Sequence, residues 1–309
     1  MEKVKHVDIR KGMKVNDLIL EMKKSGVFTA GKLADAADIC ENMVKDKDCV
    51  VFLGLAGAAV PGGMKNVISG LLKEKWFDVF VTTGANLTHD LVEALGYSHY
   101  KLNENVSDEE LNKKGYDRIY NAVMPNKVYE ELEKFFKDKI FPKIDKEISI
   151  KEFLWLIGEN INEKNSILRV CYENKIPIFC PALADSGIGL MIWGRLASGK
   201  KINIDGFSDM KEIIGISWGA KKTGVIYLGG GVPKNFIQQS LQFSKGADYG
   251  VQITMDRPEH GGSSGAELVE GKSWGKLKYK ARYVDVICDF TIALPIIYSC
   301  LKDRVKIKT

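Results

Sequence analysis

A lysine becomes an amine nucleophile when burial strips water from its ammonium and lowers its pKa. Ser273-Trp274-Gly275-Lys276 sets a large indole two residues before such an amine. The stretch leading to it, residues 259–276, opens with a polar loop holding Gly261, Gly262 and Gly265. That loop is too rich in glycine for a helix and too polar for a core strand. A desolvated Lys276 would attack a carbonyl or imine carbon and form a Schiff base. The plainer reading is a solvated lysine at the start of a strand beside a core tryptophan, since most lysines stay in water. Residue types alone leave both open.

The segments on either side must hold that loop. Residues 13–26 and 29–46 carry apolar residues at three- and four-residue spacing and read as helices, ended by the charged turn Lys45-Asp46-Lys47-Asp48. Cys49-Val50-Val51-Phe52-Leu53 is a strand-length apolar run that opens into small residues, Gly54 to Gly63, before a helix through about Lys75. Strand, small-residue loop and helix together bring backbone N–H groups and a helix N-terminus onto a phosphate. The spacing departs from GxGxxG, so tight helix–strand packing explains it as well.

The pattern recurs along the chain. Residues 78–83 run into Gly84-Ala85-Asn86 and a helix at 87–95, and residues 176–180 lead into Pro181-Ala182-Leu183-Ala184-Asp185-Ser186-Gly187. Residues 225–228 reach Gly229-Gly230-Gly231-Val232-Pro233 and a helix at 234–243. A fifth strand, 249–255, enters the loop before Lys276, and a sixth, 284–288, stops at Asp289 before a last helix. Apolar strands alternating with helices predict an α/β fold, a mostly parallel sheet with helices on both faces. Ligands of such sheets bind beyond the carboxyl ends of the strands. All these small-residue loops fall at that edge, so a nucleotide site is expected there.

Residues 101–150 are charged, poor in β-branched runs, and helical by pattern from Lys127 to Phe141, where Pro142 breaks the helix. They read as a mainly helical peripheral insertion in a single domain spanning 1–309. Residues 302–308 read as a frayed basic tail. With 45% hydrophobic and 28% charged residues the 309-residue chain has the composition of a soluble globular protein. Its net charge of +5 is small and its charges are interleaved, which excludes a nucleic-acid-binding stripe. The six cysteines form no CxxC, the four histidines are scattered, and no metal-ligand spacing appears. Reduced thiols point to the cytoplasm. No apolar run approaches the ~20 residues of a membrane span, and the start of the sequence lacks the apolar region of a signal peptide.

Several motifs, in collinear order, resemble those of deoxyhypusine synthases. They are Phe52-Leu53-Gly54, Val81-Thr82-Thr83-Gly84, Pro181-Ala182-Leu183-Ala184-Asp185, Leu228-Gly229-Gly230-Gly231-Val232, Gly246-Ala247-Asp248-Tyr249, Ser264-Gly265-Ala266 with Glu270, and Ser273-Trp274-Gly275-Lys276. The resemblance spans about residues 10–300. It implies a Rossmann-like NAD-binding sheet, assembled as a homotetramer. It also implies removal of hydride from spermidine by NAD and capture of the aminobutyl fragment as a Schiff base on Lys276. The fragment then passes to a lysine of the translation initiation factor 5A precursor.

By position, the resemblance assigns to the cofactor Gly57, Ala58, Ala59, Val60 and Pro61, Thr83-Gly84-Ala85, Asp185, Gly231, Asp289 and Phe290. An aspartate at a strand end suits a ribose hydroxyl pair; as bare residues, Asp185 and Asp289 would as readily cap the helices that follow them. Glu270 and Trp274 match polyamine contacts, a carboxylate for an ammonium and an indole face for an alkyl chain or cation. The sequence also departs from the family. Members best known from eukaryotes carry more acidic residues and a histidine near the reacting carbon, where this chain has Leu190, Ser263 and Asn235. His89 stands where a carboxylate is expected. With Ser263, Asn235 and His89 as its remaining substrate contacts, the site keeps the chemistry better than the identity of the substrate pair. Transfer to putrescine, giving homospermidine, is the near alternative, and a non-catalytic NAD-binding protein is the distant one.

Overall fold

The apolar run that begins at Cys49 is buried on both faces, as a central parallel strand must be. In the computed structural model, which describes residues 1–102 and 105–305, that run is strand β1, Cys49–Leu55. The chain's contacts divide into two compact units. The first comprises Met1–Ala56, Glu74–Val81 and Met210–Thr309, and the second Gly57–Lys73 and Thr82–Asp209.

The first unit is built on β1, β2 (Val79–Thr82, at its boundary), β3 (Lys222–Leu228), β4 (Ala247–Thr254) and β5 (Leu277–Ile287), in the spatial order β5-β4-β3-β1-β2. The pairs β1/β3, β3/β4 and β4/β5 are parallel. Helices cover both faces. A Cβ on Gly224 would lie 3.1 Å from Met43 of the Phe28–Lys45 helix, and one on Gly54 would lie 3.1 Å from Ile237 of the Gly231–Gln242 helix. Gly54 pairs with Tyr227, three residues from Gly224 and so on the opposite face of β3. The α/β fold with a parallel sheet is therefore as the strand–helix alternation predicts.

Several boundaries move, each for a local reason. Strand β5 starts at Leu277, not Val284, because it is an edge strand whose polar half, with Lys278, Lys280 and Arg282, carries no apolar signal. The helix expected at 87–95 is Gly84–Ala94, capped by the Thr83 hydroxyl, which accepts from Asn86 N at 3.3 Å. Residues 302–304 are not a frayed tail. They close the Phe290–Arg304 helix, where the Arg304 guanidinium reaches Asp38 at 2.7 Å and Glu41 at 3.1 Å. Residues 306–308 of that expected tail lie outside the described residues.

In the second unit, residues 101–150 hold more strand than their sequence suggested. Tyr100–Lys101, Ala122–Pro125 and Tyr116–Ile119 form a three-stranded antiparallel sheet. The helix Val128–Phe135 then runs into a π turn and a 3-10 turn holding Pro142. The unit also contains the short strand Ile178–Phe179. Asp90, fully buried, ties the Gly84–Ala94 helix to the start of Ile167–Asn174, accepting from Ser166 Oγ at 2.7 Å, Ile167 N at 2.9 Å and Leu168 N at 3.0 Å. Among the described residues no helix is long and apolar enough to cross a membrane.

Candidate active site

The first unit carries the reactive-lysine segment between the end of β4 and the start of β5. Lys276 sits immediately before β5, pinned through its backbone N to Gly271 O at 2.8 Å and through its carbonyl to Ala247 N at 3.0 Å. Gly275 makes the turn at φ 71°. The Lys276 Nζ lies 4.9 Å from the centre of the Trp274 ring. Partial burial lowers its pKa below the ordinary lysine range. Among the described residues Nζ has no carboxylate and no side-chain hydrogen bond. Trp274 is 60% exposed, so the reading of it as a core residue is set aside. Its indole faces solvent beside the amine.

A second lysine organises the loop from below. Lys234, 1% exposed on the Gly231–Gln242 helix, donates to Ser263 O at 2.7 Å and Ala266 O at 2.5 Å. Burial pushes its pKa down to about 8; the charges of Asp285 and Glu270 oppose that shift, and the charge of Lys276 adds to it. Lys234 and Lys276 are thus electrostatic neighbours. Gly265 is demanded by contact, since a Cβ there would lie 1.9 Å from Arg257 O. The loop closes on Asp256, which accepts from the Ser264 hydroxyl and meets His260 Nε2 at 2.9 Å. Glu270 and Asn235 are exposed, and Ser263 is half-buried with its carbonyl taken by Lys234.

At the carboxyl ends of β3, β4 and β5 a cleft of about 270 Å³ is lined by Gly229, Thr254, Met255, Asp256, Cys288, Asp289 and Phe290. Gly231 follows directly, at φ 59°. Asp289 caps the last helix, accepting from Thr291 N at 2.8 Å, so the capping role holds for it while its side chain also lines the cleft. This is the strand edge at which the sequence placed a nucleotide.

The second unit gathers the other assigned loops. Gly57 is exposed at φ 75°, Ala58 and Pro61 are half-buried, and Ala59 and Val60 are buried, with Ala59 N donating to Asn86 Oδ1 at 2.8 Å. Thr83 and the first turn of the Gly84–Ala94 helix lie beside that loop, with Ala85 exposed. A Cβ on Gly84 would lie 2.4 Å from Ser186 Cβ, which brings the start of the Gly187–Ala197 helix against it. Ser186 caps that helix, accepting from Gly189 N at 3.0 Å, so Asp185 is not its cap. The Asp185 carboxylate is exposed and has no partner among the described residues. Leu190 is 51% exposed and lines a groove of about 570 Å³ with Tyr129, Trp193 and Arg195. His89 is buried and bonded to His99, so it is not a solvent-facing replacement for a carboxylate.

Sequence reasoning singled out Lys276 and Trp274, whose amine and ring the structure sets side by side, and passed over Lys234 and Asp256. The only sequence mark of Lys234 is a lysine in the first turn of a helix that follows three glycines.

A family model described as deoxyhypusine synthase matches residues 17–301. "Probable deoxyhypusine synthase 1" of Methanosarcina mazei is 43% identical over 302 residues, covering 97% of this chain and 95% of that protein. The protein of the same name from Archaeoglobus fulgidus is 44% identical over 297 residues, covering 96% and 97%. A solved structure, "Crystal Structure of a putative deoxyhypusine synthase from Entamoeba histolytica", superposes with a TM-score of 0.66 over 96% of both chains; at 21% identity it speaks to the fold. The half-buried amine beside an indole, the glycine loops at the strand ends and these likenesses agree: the chain belongs to the deoxyhypusine synthase family, a family of transferases.

Proposed function

We propose that this chain is an NAD-dependent aminobutyl transferase that moves the aminobutyl group of spermidine, through an imine on Lys276, to a lysine of the translation initiation factor 5A precursor. The observation that carries the reading is the state of Lys276: partly desolvated, with no carboxylate partner among the described residues, and set over an exposed indole. A lysine held by an ion pair would be a poor nucleophile; a desolvated one offers its lone pair at a lower pH than an ordinary lysine does.

NAD, when bound, supplies the hydride acceptor. The residues present suit it. Asp289 lines a cleft edged by Gly229, where its carboxylate would hydrogen-bond ribose hydroxyls; Asp185, which has no partner among the described residues, is the other aspartate that the resemblance assigns to the cofactor. The Trp274 face would receive the alkyl chain or ammonium of the amine, and Glu270, exposed and close enough for Lys234 to sense its charge, would pair with an ammonium. Lys276 adds its nitrogen to the electrophilic carbon, losing a proton and displacing the departing amine, and holds the fragment until the acceptor amine takes its place. The reading includes a cytoplasmic homotetramer.

One observation favours the near alternative, transfer to putrescine with formation of homospermidine: Leu190 offers an apolar side chain, and His89 a buried neutral ring, where acidic anchors are expected. The test supplies NAD and labelled spermidine with either the factor 5A precursor or putrescine. Label should reach the factor in wild type, and Lys276→Arg, which keeps the charge but has no available lone pair, should reduce transfer by at least ~10³-fold. Label found only on putrescine would establish the alternative. Label on neither, with no borohydride-trapped adduct on Lys276, would leave a binding protein.

A further inference from the structure

The cleft at the carboxyl ends of β3, β4 and β5 lies wholly in the first unit and holds two carboxylates that are not equivalent. Asp289 caps the last helix through Oδ1, which accepts from Thr291 N at 2.8 Å, and its other oxygen has no partner among the described residues. Asp256 has both oxygens committed. Oδ1 accepts from Arg257 N at 3.0 Å and meets His260 Nε2 at 2.9 Å, while Oδ2 accepts from the Ser264 hydroxyl. Asp289 is therefore free to accept from a hydroxyl, whereas Asp256 offers the cleft mainly its charge.

That charge is fixed. Hydrogen bonds from Ser264 first, and His260 second, hold Asp256 down to about 2, so it stays ionised at neutral pH. Burial, and after it the Asp289 charge, raise the Cys288 thiol, so this lining group stays neutral. Among the described residues that line the cleft there is no lysine, arginine or histidine; the Arg257 side chain is not part of the lining, and His260 meets Asp256 from outside it. Neither Lys276 nor Trp274 lines it, so the half of a dinucleotide held there is the one remote from the reacting amine, the adenosine half. Gly229, Gly230 and Gly231, at φ 83°, 92° and 59°, lead from the cleft into the Gly231–Gln242 helix, whose N-terminus suits the adjoining pyrophosphate.

We propose that Asp256 determines cofactor specificity: beside Asp289 it makes the cleft admit a ribose with a free 2′-hydroxyl and reject one bearing a 2′-phosphate, so that the protein selects NAD over NADP. This rests on the NAD-dependent reading above. A 2′-phosphate brings about −1.5 to −2 of charge at neutral pH. Where Asp289 accepts from the hydroxyl, that charge would stand in a cleft with a second carboxylate and no cation to pair with. Asp289, held through one oxygen, could turn away from a phosphate. Asp256 could not, because three hydrogen bonds fix it in place. Asp256 is thus a residue of the loop before Lys276 that acts on the cofactor through its charge rather than by binding it.

Calorimetric titration of the full chain with NAD and with NADP, in the absence of any amine, tests it. Wild type should bind NAD at least ~30-fold more tightly than NADP. Raising the ionic strength about tenfold should narrow that ratio several-fold, because the discrimination is between charges and the cleft is open to salt. Asp256→Asn, which keeps the shape of the side chain and removes its charge, should narrow the ratio at least ~5-fold by strengthening NADP, with NAD affinity within ~3-fold of wild type. Equal affinity of wild type for the two nucleotides, or a ratio unmoved by salt or by Asp256→Asn, would overturn the proposal. So would loss of NAD and NADP binding together in the variant, which would make Asp256 a support of its loop; the salt series on wild type needs no variant. A wild type that binds neither nucleotide would instead sink the NAD-dependent reading itself.

Discussion

Lys234 uses its desolvation differently from Lys276. As a neutral amine it keeps two N–H bonds, and it faces two carbonyls, Ser263 O and Ala266 O, so it loses neither hydrogen bond when it gives up its proton. Its folded-state pKa is about 8 against an ordinary 10.5. Between those values the unfolded chain binds the proton and the folded chain does not, so stability rises with pH across that window. The rise attributable to this one group is at most about 3 kcal/mol. Urea unfolding of wild type and Lys234→Met at pH 8 and pH 10 checks this: wild type should gain relative to the variant on going to pH 10. Equal changes in both would mean that Lys234 keeps its proton. Lys276 was legible in sequence because its indole lies two residues away. Lys234 was not, because its burial is created by carbonyls 29 and 32 residues further along the chain.

The loop between β4 and β5 is closed by a latch rather than by regular structure. Asp256 holds His260 and Ser264, and Gly262 N donates to His260 Nδ1 at 3.1 Å. The hydrogen bond to Asp256, with the carboxylate's charge, raises the His260 pKa, while hydrogen bonds from Ser264 and His260 lower Asp256 to about 2. A raised histidine contributes fully below its unfolded value near 6.5 and loses the contribution as pH rises through its folded value. A lowered aspartate contributes above its unfolded value near 3.9 and loses the contribution as pH falls through about 2. The Asp256–His260 pair is therefore tightest from about pH 4 to pH 6.5, whereas the Gly262 N–H bond to His260 Nδ1 needs the neutral ring. Amide exchange of residues 263–265, corrected for intrinsic rates, should show protection falling as pH rises past neutrality, and His260→Ala should abolish that dependence. A flat profile in wild type would refute the latch. Glycine spacing announced a loop here, but pairing across it depends on geometry that spacing does not encode. The same holds for β5 and for the hairpin of Tyr116–Ile119 and Ala122–Pro125, whose strands are short or edge-exposed and so lack a continuous apolar run. Buried strands such as β1 were readable because both of their faces are apolar.

For the chain as a whole, alternation of strands and helices gave the α/β class, yet the sequence reads as one domain where contacts gather into two units. The chain passes between units after Ala56, Lys73, Val81 and Asp209. Two of these points, after Ala56 and Val81, fall in or next to strand–loop–helix segments that look uniform in sequence, and no linker composition marks any of them. Assembly is the property for which one chain is least informative, but one surface bears on the proposed homotetramer. On the Gly187–Ala197 helix, Leu190, Trp193 and Leu196 recur at three-residue spacing and are 51%, 66% and 51% exposed. Large apolar side chains clustered on one stripe are costly to leave in water, which makes this stripe the face to test for burial in the proposed assembly. Trp193→Glu combined with Leu196→Glu should shift the sedimenting species from four chains to fewer. Because both side chains already face solvent within the chain, the helical circular dichroism of the variant should stay unchanged. A variant that remains a four-chain species would show that this helix lies outside the subunit contacts; one that loses its helical signal would show that the two residues support the fold of their own chain instead.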